Sequence, residues 1–283
     1  MIEDAHRQAD HLVRFDWGPT GAAAISADAA YAVVVDVLSF TTTLTVAVER
    51  GMTVFPYRWR DDGAADYARA RDAVLAVGRF EILAVPASDP DQPAESSHPR
   101  RHAAESAADV PGRRGLGVSL SPAAMGRVVG VERIVLPSPN GSTIAYGLQG
   151  SGARVVGGCL RNAAAVAGWL APRLASGGTL AVVAAGERWP DGSLRPAAED
   201  LWGAGAVLAA CAAAGLTGFS PEADAAAQSF RAVVDRLPAA LSGCASGREL
   251  IAAGFGADVA VAAAHEVSTV VPVLDGEAFV PAT

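Results

Sequence analysis

Residues 31–51 read YAVVVDVLSFTTTLTVAVERG, and this stretch decides the fold. Ala32 to Val35 and Val37 are apolar and mostly β-branched, a run whose length and composition predict a buried strand. Ser39, Thr41, Thr42 and Thr43 follow at once. Such hydroxyls accept hydrogen bonds from the first free N–H groups of a helix, and Gly51 suits the position after its last turn. Asp36 is therefore expected where a strand ends and a helix begins. A carboxylate in an apolar strand is costly to bury unless it is paired or coordinates a metal, so Asp36 is the first candidate functional residue. The junction combines a hard oxygen ligand for a divalent cation with hydroxyl and backbone donors suited to a phosphate. The hydroxyls also have a plainer reading as a helix cap that binds nothing.

Outward from this stretch the pattern repeats. An edge strand is expected within residues 12–17, a second strand over 53–57, a helix over 61–77 and a third strand over 81–85. Residues 86–114 are rich in Pro, Ser and charge and predict a long loop, in which His98 and His102 read as solvated rather than metal-bound. The alternation resumes with a helix near 122–129 and strands at 132–136, 153–156 and 179–185. Helices are expected over 163–174, 198–214, 222–237 and 248–253, with a last strand at 269–274. This alternation implies a three-layer α/β/α architecture on a largely parallel or mixed sheet. Residues 1–283 read as one such unit or as two intimate lobes carrying the long loop at 86–114.

Parallel strands place their carboxyl ends on one edge, where ligands of such sheets bind. Topology therefore predicts one constellation: Asp36 with Thr41, Thr42 and Thr43; Asn140, Gly141, Ser142 and Thr143; Arg161 and Asn162; and Glu187, Glu199 and Asp200. Carboxylates from separate segments, with hydroxyl and amide donors, suit magnesium and a phosphate ester. An aspartyl-phosphate motif would need a second Asp where Leu38 stands, and a cysteine phosphatase would need Arg where Ala165 follows Cys159. There is no GxSxG elbow and no phosphate-binding GxxxxGK loop.

Composition narrows the class further. The chain is 51% hydrophobic, 18% charged and only 6% aromatic, so Ala, Val and Leu must build the core. A formal net charge of -8 without basic clusters argues against nucleic acid as a partner. No window of about 18 apolar residues predicts a membrane span, and the polar first residues suggest a cytoplasmic protein. Cys159, Cys211 and Cys244 lie far apart and read as reduced, mostly buried residues.

Several segments then point to one family. DVLSFTTT at 36–43 resembles the opening motif of the 2-phosphosulfolactate phosphatases, the ComB-type family. SLSP at 119–122 resembles that family's GNSP, PNGST at 139–143 its TNGT, and GGCLRNAAAVA at 157–167 its NAxAVA segment. AAGERWPDGSLRPAAEDLWGAG at 184–205 and the tail at 246–274 are similar to its closing motifs. The resemblance implies a ComB-like α/β/α fold and a magnesium-dependent phosphatase acting on a small anionic phosphate ester. By position it makes Asp36, Glu199 and Asp200 the metal-binding or catalytic residues. It assigns substrate binding to Ser39, Thr41, Thr42, Thr43, Asn140, Gly141, Ser142, Thr143 and Asn162, and Arg161 is a further anion-binding candidate. Ser39 stands where the family has Arg, and Leu120 where GNSP has Asn. Arg58, Arg113, Arg114 or Arg161 is expected to supply the missing charge. The departures open two readings: a phosphatase with altered substrate choice, or a non-catalytic member that binds an anionic metabolite or a partner protein. A monomer and a homodimer are both compatible with the composition.

Overall fold

The computed structural model describes residues 4–58, 63–79 and 118–283. Along the chain the elements are β1 (Val13–Trp17), α1 (Gly18–Ile25), β2 (Tyr31–Val35), α2 (Phe40–Glu49), β3 (Thr53–Tyr57), α3 (Ala64–Arg69) and β4 (Val74–Leu75). After the undescribed segment come α4 (Pro122–Met125), β5 (Arg133–Pro137), α5 (Gly141–Gly147), β6 (Arg154–Gly158), α6 (Ala163–Leu174) and β7 (Leu180–Ala184). A short hairpin, β8 (Glu187–Arg188) and β9 (Leu194–Arg195), precedes α7 (Ala198–Ala213). Four helices, α8 (Pro221–Arg231), α9 (Leu237–Gly243), α10 (Ala245–Ala252) and α11 (Gly256–Ala263), lead into β10 (Pro272–Asp275) and β11 (Ala278–Pro281).

Nine strands form one sheet in the order β1-β7-β2-β6-β10-β11-β3-β5-β4. Pairing is parallel within β1, β7, β2 and β6, and again within β3, β5 and β4. The hairpin β10–β11 lies between the two groups and pairs antiparallel with both. Three antiparallel steps in succession leave the groups running in opposite senses, so the carboxyl ends do not share one edge as expected. They meet for another reason. Ala32, Val34 and Val183 of one group and Val54, Ile134 and Leu136 of the other pack in a single core around Phe40 and Leu44 of α2. Every residue of α2 but Glu49 is buried. The sheet, twisted as sheets of L-residues are, thus wraps α2 and brings the ends of β2 and β5 together.

On the outer face of the first group, Val33, Val35 and Val182 pack against Val166, Leu170, Val207, Leu208 and Phe230 of α6, α7 and α8. On the outer face of the second, Phe55, Tyr57 and Val135 pack on Ala64 and Ala68 of α3. The result is a mostly parallel sheet with helices on both faces, the three-layer α/β/α arrangement expected.

Several boundaries differ from expectation. The helix expected over 61–77 is only α3: Asp72 takes φ 50°, and Val74 and Leu75 pair with Ile134 and Val135 of β5, where the β-branched Val74 suits a strand. The helix over 222–237 ends at Arg231, and a new helix starts at Leu237 with Pro238 in its first turn. Helices α1 and α11 and strand β11 were not anticipated, since short Ala-rich runs carry little periodicity. The expected strand at 81–85, the loop at 86–114, His98, His102, Arg113 and Arg114 lie outside the described residues. Among those described, no helix is long and apolar enough to cross a membrane.

Candidate active site at the end of strand β2

Strand β2 ends at Val35, and the next residue is Asp36. The threonines that follow build the turn. Thr41 Oγ1 accepts from the Asp36 N–H at 2.9 Å and donates to the Asp36 carbonyl at 2.8 Å, while Thr42 Oγ1 donates to the Val37 carbonyl at 2.6 Å. Thr43 Oγ1 donates to the Leu120 carbonyl at 2.8 Å, fastening α2 to the segment before α4. The hydroxyls therefore fold the main chain into the shape that presents Asp36. Ser39, at the N-cap position, makes no side-chain cap bond, and Gly51 has φ 79° after the last turn, as its position predicted.

Asp36 is 3% exposed. Its Oδ2 accepts from the Gly141 N–H at 2.9 Å and lies 3.4 Å from Ser138 Oγ. This contact requires glycine: a Cβ on Gly141 would lie 2.7 Å from Asp36 Cβ and Oδ2. Asp200, in the first turn of α7, clamps the opposite side. Its Oδ1 accepts from Val37 N–H at 2.7 Å and its Oδ2 from Gly186 N–H at 2.8 Å, joining the exits of β2 and β7. Glu187, on β8, accepts at Oε2 from Asn140 Nδ2 at 2.8 Å.

These acids repel one another in a dry setting. Burial raises the Asp36 carboxyl above the ordinary aspartate range, and it raises Asp200 further because Asp36 and Glu199 lie nearby. Glu187 is pushed up to about 7, first by burial and then by Asp36. The compensating cation is Arg79, the last residue before the undescribed segment. Its Nε lies 2.8 Å from Asp258 Oδ2, a pair whose two side chains are 9% and 2% exposed, and Nη2 donates to the Leu38 carbonyl. The Nε contact is ionic rather than an aligned hydrogen bond. Asp258 is itself held by Ser121 Oγ and by the Ala123 N–H. Burial lowers the Arg79 pKa, and Asp258 and then Asp36 oppose that shift.

A family model described as 2-phosphosulpholactate phosphatase matches residues 73–277. The chain belongs to the 2-phosphosulpholactate phosphatase family. No curated protein matches it. Family membership places the chain with phosphatases of small molecules, and the matched span contains Arg79, Gly141, Glu187 and Asp200.

Of the residues singled out in the sequence, the structure gathers Asp36, Asn140, Gly141, Glu187 and Asp200. Others serve the frame. Ser142 Oγ bridges the Tyr57 N–H and the Leu136 carbonyl, and Thr143 Oγ1 donates to the Ser138 carbonyl. Asn162 accepts from Cys159 N–H and donates to the Gly157 and Val270 carbonyls, closing the turn after β6. Arg161 lies at the far end of α2, 3.5 Å from Glu49 and bonded to the Val261 carbonyl. Glu199 makes no hydrogen bond to the gathered residues and lines a cavity beside them, close enough to raise Asp200. Arg79 was not among the arginines expected to supply the missing charge. The signal available was the one used for Asp36, a charged residue closing an apolar run, here VLAVGR at 74–79.

Magnesium, which the resemblance implies, can be weighed against this donor set. Among the described residues no three His, Cys, Asp or Glu side chains form a ready cage. The oxygen-only chemistry and the excess negative charge around Asp36 and Glu187 nonetheless fit a hard cation that keeps waters and takes its other ligands from a substrate phosphate.

Proposed function

We propose that this protein is a magnesium-assisted phosphatase that hydrolyses a small acidic phosphate monoester at the Asp36 site. The observation that carries the reading is the pairing of a buried acid cluster with one buried guanidinium, Arg79, that feels both Asp36 and Glu187. Asp36 and Glu187 would hold the metal, which when bound supplies charge neutralisation and polarisation of a phosphoryl oxygen. Arg79, anchored by Asp258 and the Leu38 carbonyl, would orient the anionic end of the substrate. It is the cation nearest in role to the arginine that Ser39 replaces. Glu187 ionises at about 7 in the protein alone, so a cation held there would displace a proton and bind more tightly as pH rises through this range. Asp200 acts through the frame, fixing the main chain on either side of Asp36.

The test is phosphate release from a panel of small carboxylate-bearing phosphate esters, with magnesium or with chelator. Asp36→Asn is nearly isosteric, and its kcat should fall by about a factor of 1,000 or more with the melting temperature preserved. Turnover that survives in this variant defeats the assignment of Asp36. If wild-type protein cleaves no ester but an acidic phosphate ester still raises its melting temperature, the chain is a non-catalytic binder instead.

A further inference from the structure

Glu199 and Asp200 are neighbours on α7, but they serve different places. Asp200 bonds the main chain at Val37 and Gly186, whereas Glu199 lines a cavity of about 470 Å³ between α7, β9 and the α9–α10 corner. Glu199 is 2% exposed, and its Oε1 has no hydrogen-bond partner among the described residues. The neighbouring thiol of Cys244 is directed to the Leu241 carbonyl at 3.1 Å. That thiol is a weak donor shared between Glu199 and the Leu241 carbonyl, and a buried carboxylate oxygen so poorly satisfied is costly, so this one calls for a stronger donor. Two guanidiniums stand further out. Arg195 is half-buried and held by Ser246 Oγ at 3.1 Å, and Arg236 is exposed at the rim. Apolar wall is supplied by Trp202, Val233 and Ala240.

We infer that this cavity binds a small zwitterion of the α-amino acid class with an apolar side chain. The ammonium sits on Glu199, the carboxylate faces Arg195 and Arg236, and the side chain lies against Trp202 and Val233. The cavity volume falls in the range of small-molecule sites, and its lining supplies one acid and two guanidiniums, partners for both charges of a zwitterion. The inference does not depend on the phosphatase reading, because none of these side chains bonds to Asp36, Arg79 or Glu187, although Glu199 and Arg195 are close enough to act on the charge of Glu187.

Isothermal titration of the full chain with L-leucine tests it, with 4-methylpentanoate lacking the amine and 3-methylbutylamine lacking the carboxylate as controls. L-leucine should bind at least tenfold more tightly than either control. Glu199→Gln and Arg236→Ala should each weaken it by tenfold or more, the second at an exposed position where folding is not at stake. Asp36→Asn, which disables the other site, should leave leucine binding intact. The inference is overturned if neither leucine nor any other apolar amino acid binds at 10 mM, roughly the weak limit of a specific small-molecule site. It is equally overturned if the amine-free control binds as well as leucine, or if Arg236→Ala binds unchanged.

Discussion

Two buried acidic regions flank the start of α7, and they spend their polar atoms differently. Around Asp36 both oxygens of Asp200, one of Asp36 and one of Glu187 accept hydrogen bonds, and Arg79 is anchored by Asp258. In the Glu199 cavity a carboxylate oxygen is unmet and one arginine stands at the rim. The first region is rigid by construction, while the second is completed only by something that enters it. Burial alone would have classed Glu199 with Asp36. What separates them is that the atoms left without a hydrogen bond in the first region, Arg79 Nε and Asp258 Oδ2, oppose each other as an ion pair, whereas Glu199 Oε1 faces no cation at that distance among the described residues.

Arginine replacements give the largest contrast. Arg79→Gln leaves Asp258 buried without its counter-charge and should cost about 3–5 kcal/mol. Arg236→Ala removes an exposed side chain and should stay within about 0.5 kcal/mol. Urea denaturation of both variants measures the difference. Equal and small costs would mean that Arg79 is no more built into the structure than the rim arginine, and the distinction between the regions would fail.

How far the sequence revealed these regions depends on the scale of the signal. The β2–α2 stretch was legible because a β-branched run, a hydroxyl cluster and a terminal glycine each act within a few residues. The observed strand, helix and positive φ of Gly51 follow them closely. The placing of Asp36 followed from desolvation. The family was legible from motifs in order along the chain. The reversal of the second strand group was not, since it is made by a hairpin at 272–281 whose partners lie more than a hundred residues away. Glu199 and Asp200 were indistinguishable because successive helix residues point about 100° apart, and only packing decides which turns inward. The hydroxyls misled in one respect. Their spacing suits an anion site, but Thr41, Thr42, Thr43 and Ser142 are spent on carbonyls of their own chain.

Glycines offer a second, smaller contrast. Alanine at Gly141 would press into Asp36 and within 2.9 Å of the Phe40 ring, with no flexible chain end to yield. A cost of about 1–3 kcal/mol is expected, with a fall in kcat because Asp36 must move. Gly243 lines the other cavity, and a Cβ there meets nothing within 4 Å. Since it lies in α9, Gly243→Ala should be neutral or stabilising by about 0.5 kcal/mol. Thermal melts of the pair read this directly. A neutral Gly141→Ala would show that the Asp36–Gly141 approach is not a constraint.

The smallest expected effect is a pH dependence confined to the Asp36 cluster, read in chelator so that no divalent cation competes with protons. Glu187 ionises at about 7 in the folded chain, against 4.5 for the free side chain. Between those values the folded protein keeps a proton that the unfolded chain has released. Its stabilising contribution is therefore complete below about pH 4.5 and lost as pH rises through 7. Asp36 and Asp200 are shifted in the same direction and add to the slope. The melting temperature should fall as pH rises across this window. Glu187→Gln should flatten the fall by about 1 kcal/mol, on the order of 2–4 °C for a chain of this size. The change is smaller than the full shift implies, because removing one charge lets Asp36 and Asp200 ionise more readily. A melting temperature that climbs with pH in wild type, or a slope unchanged in Glu187→Gln, would mean that the charges around Asp36 are already balanced by the protein and that no cation is called for there.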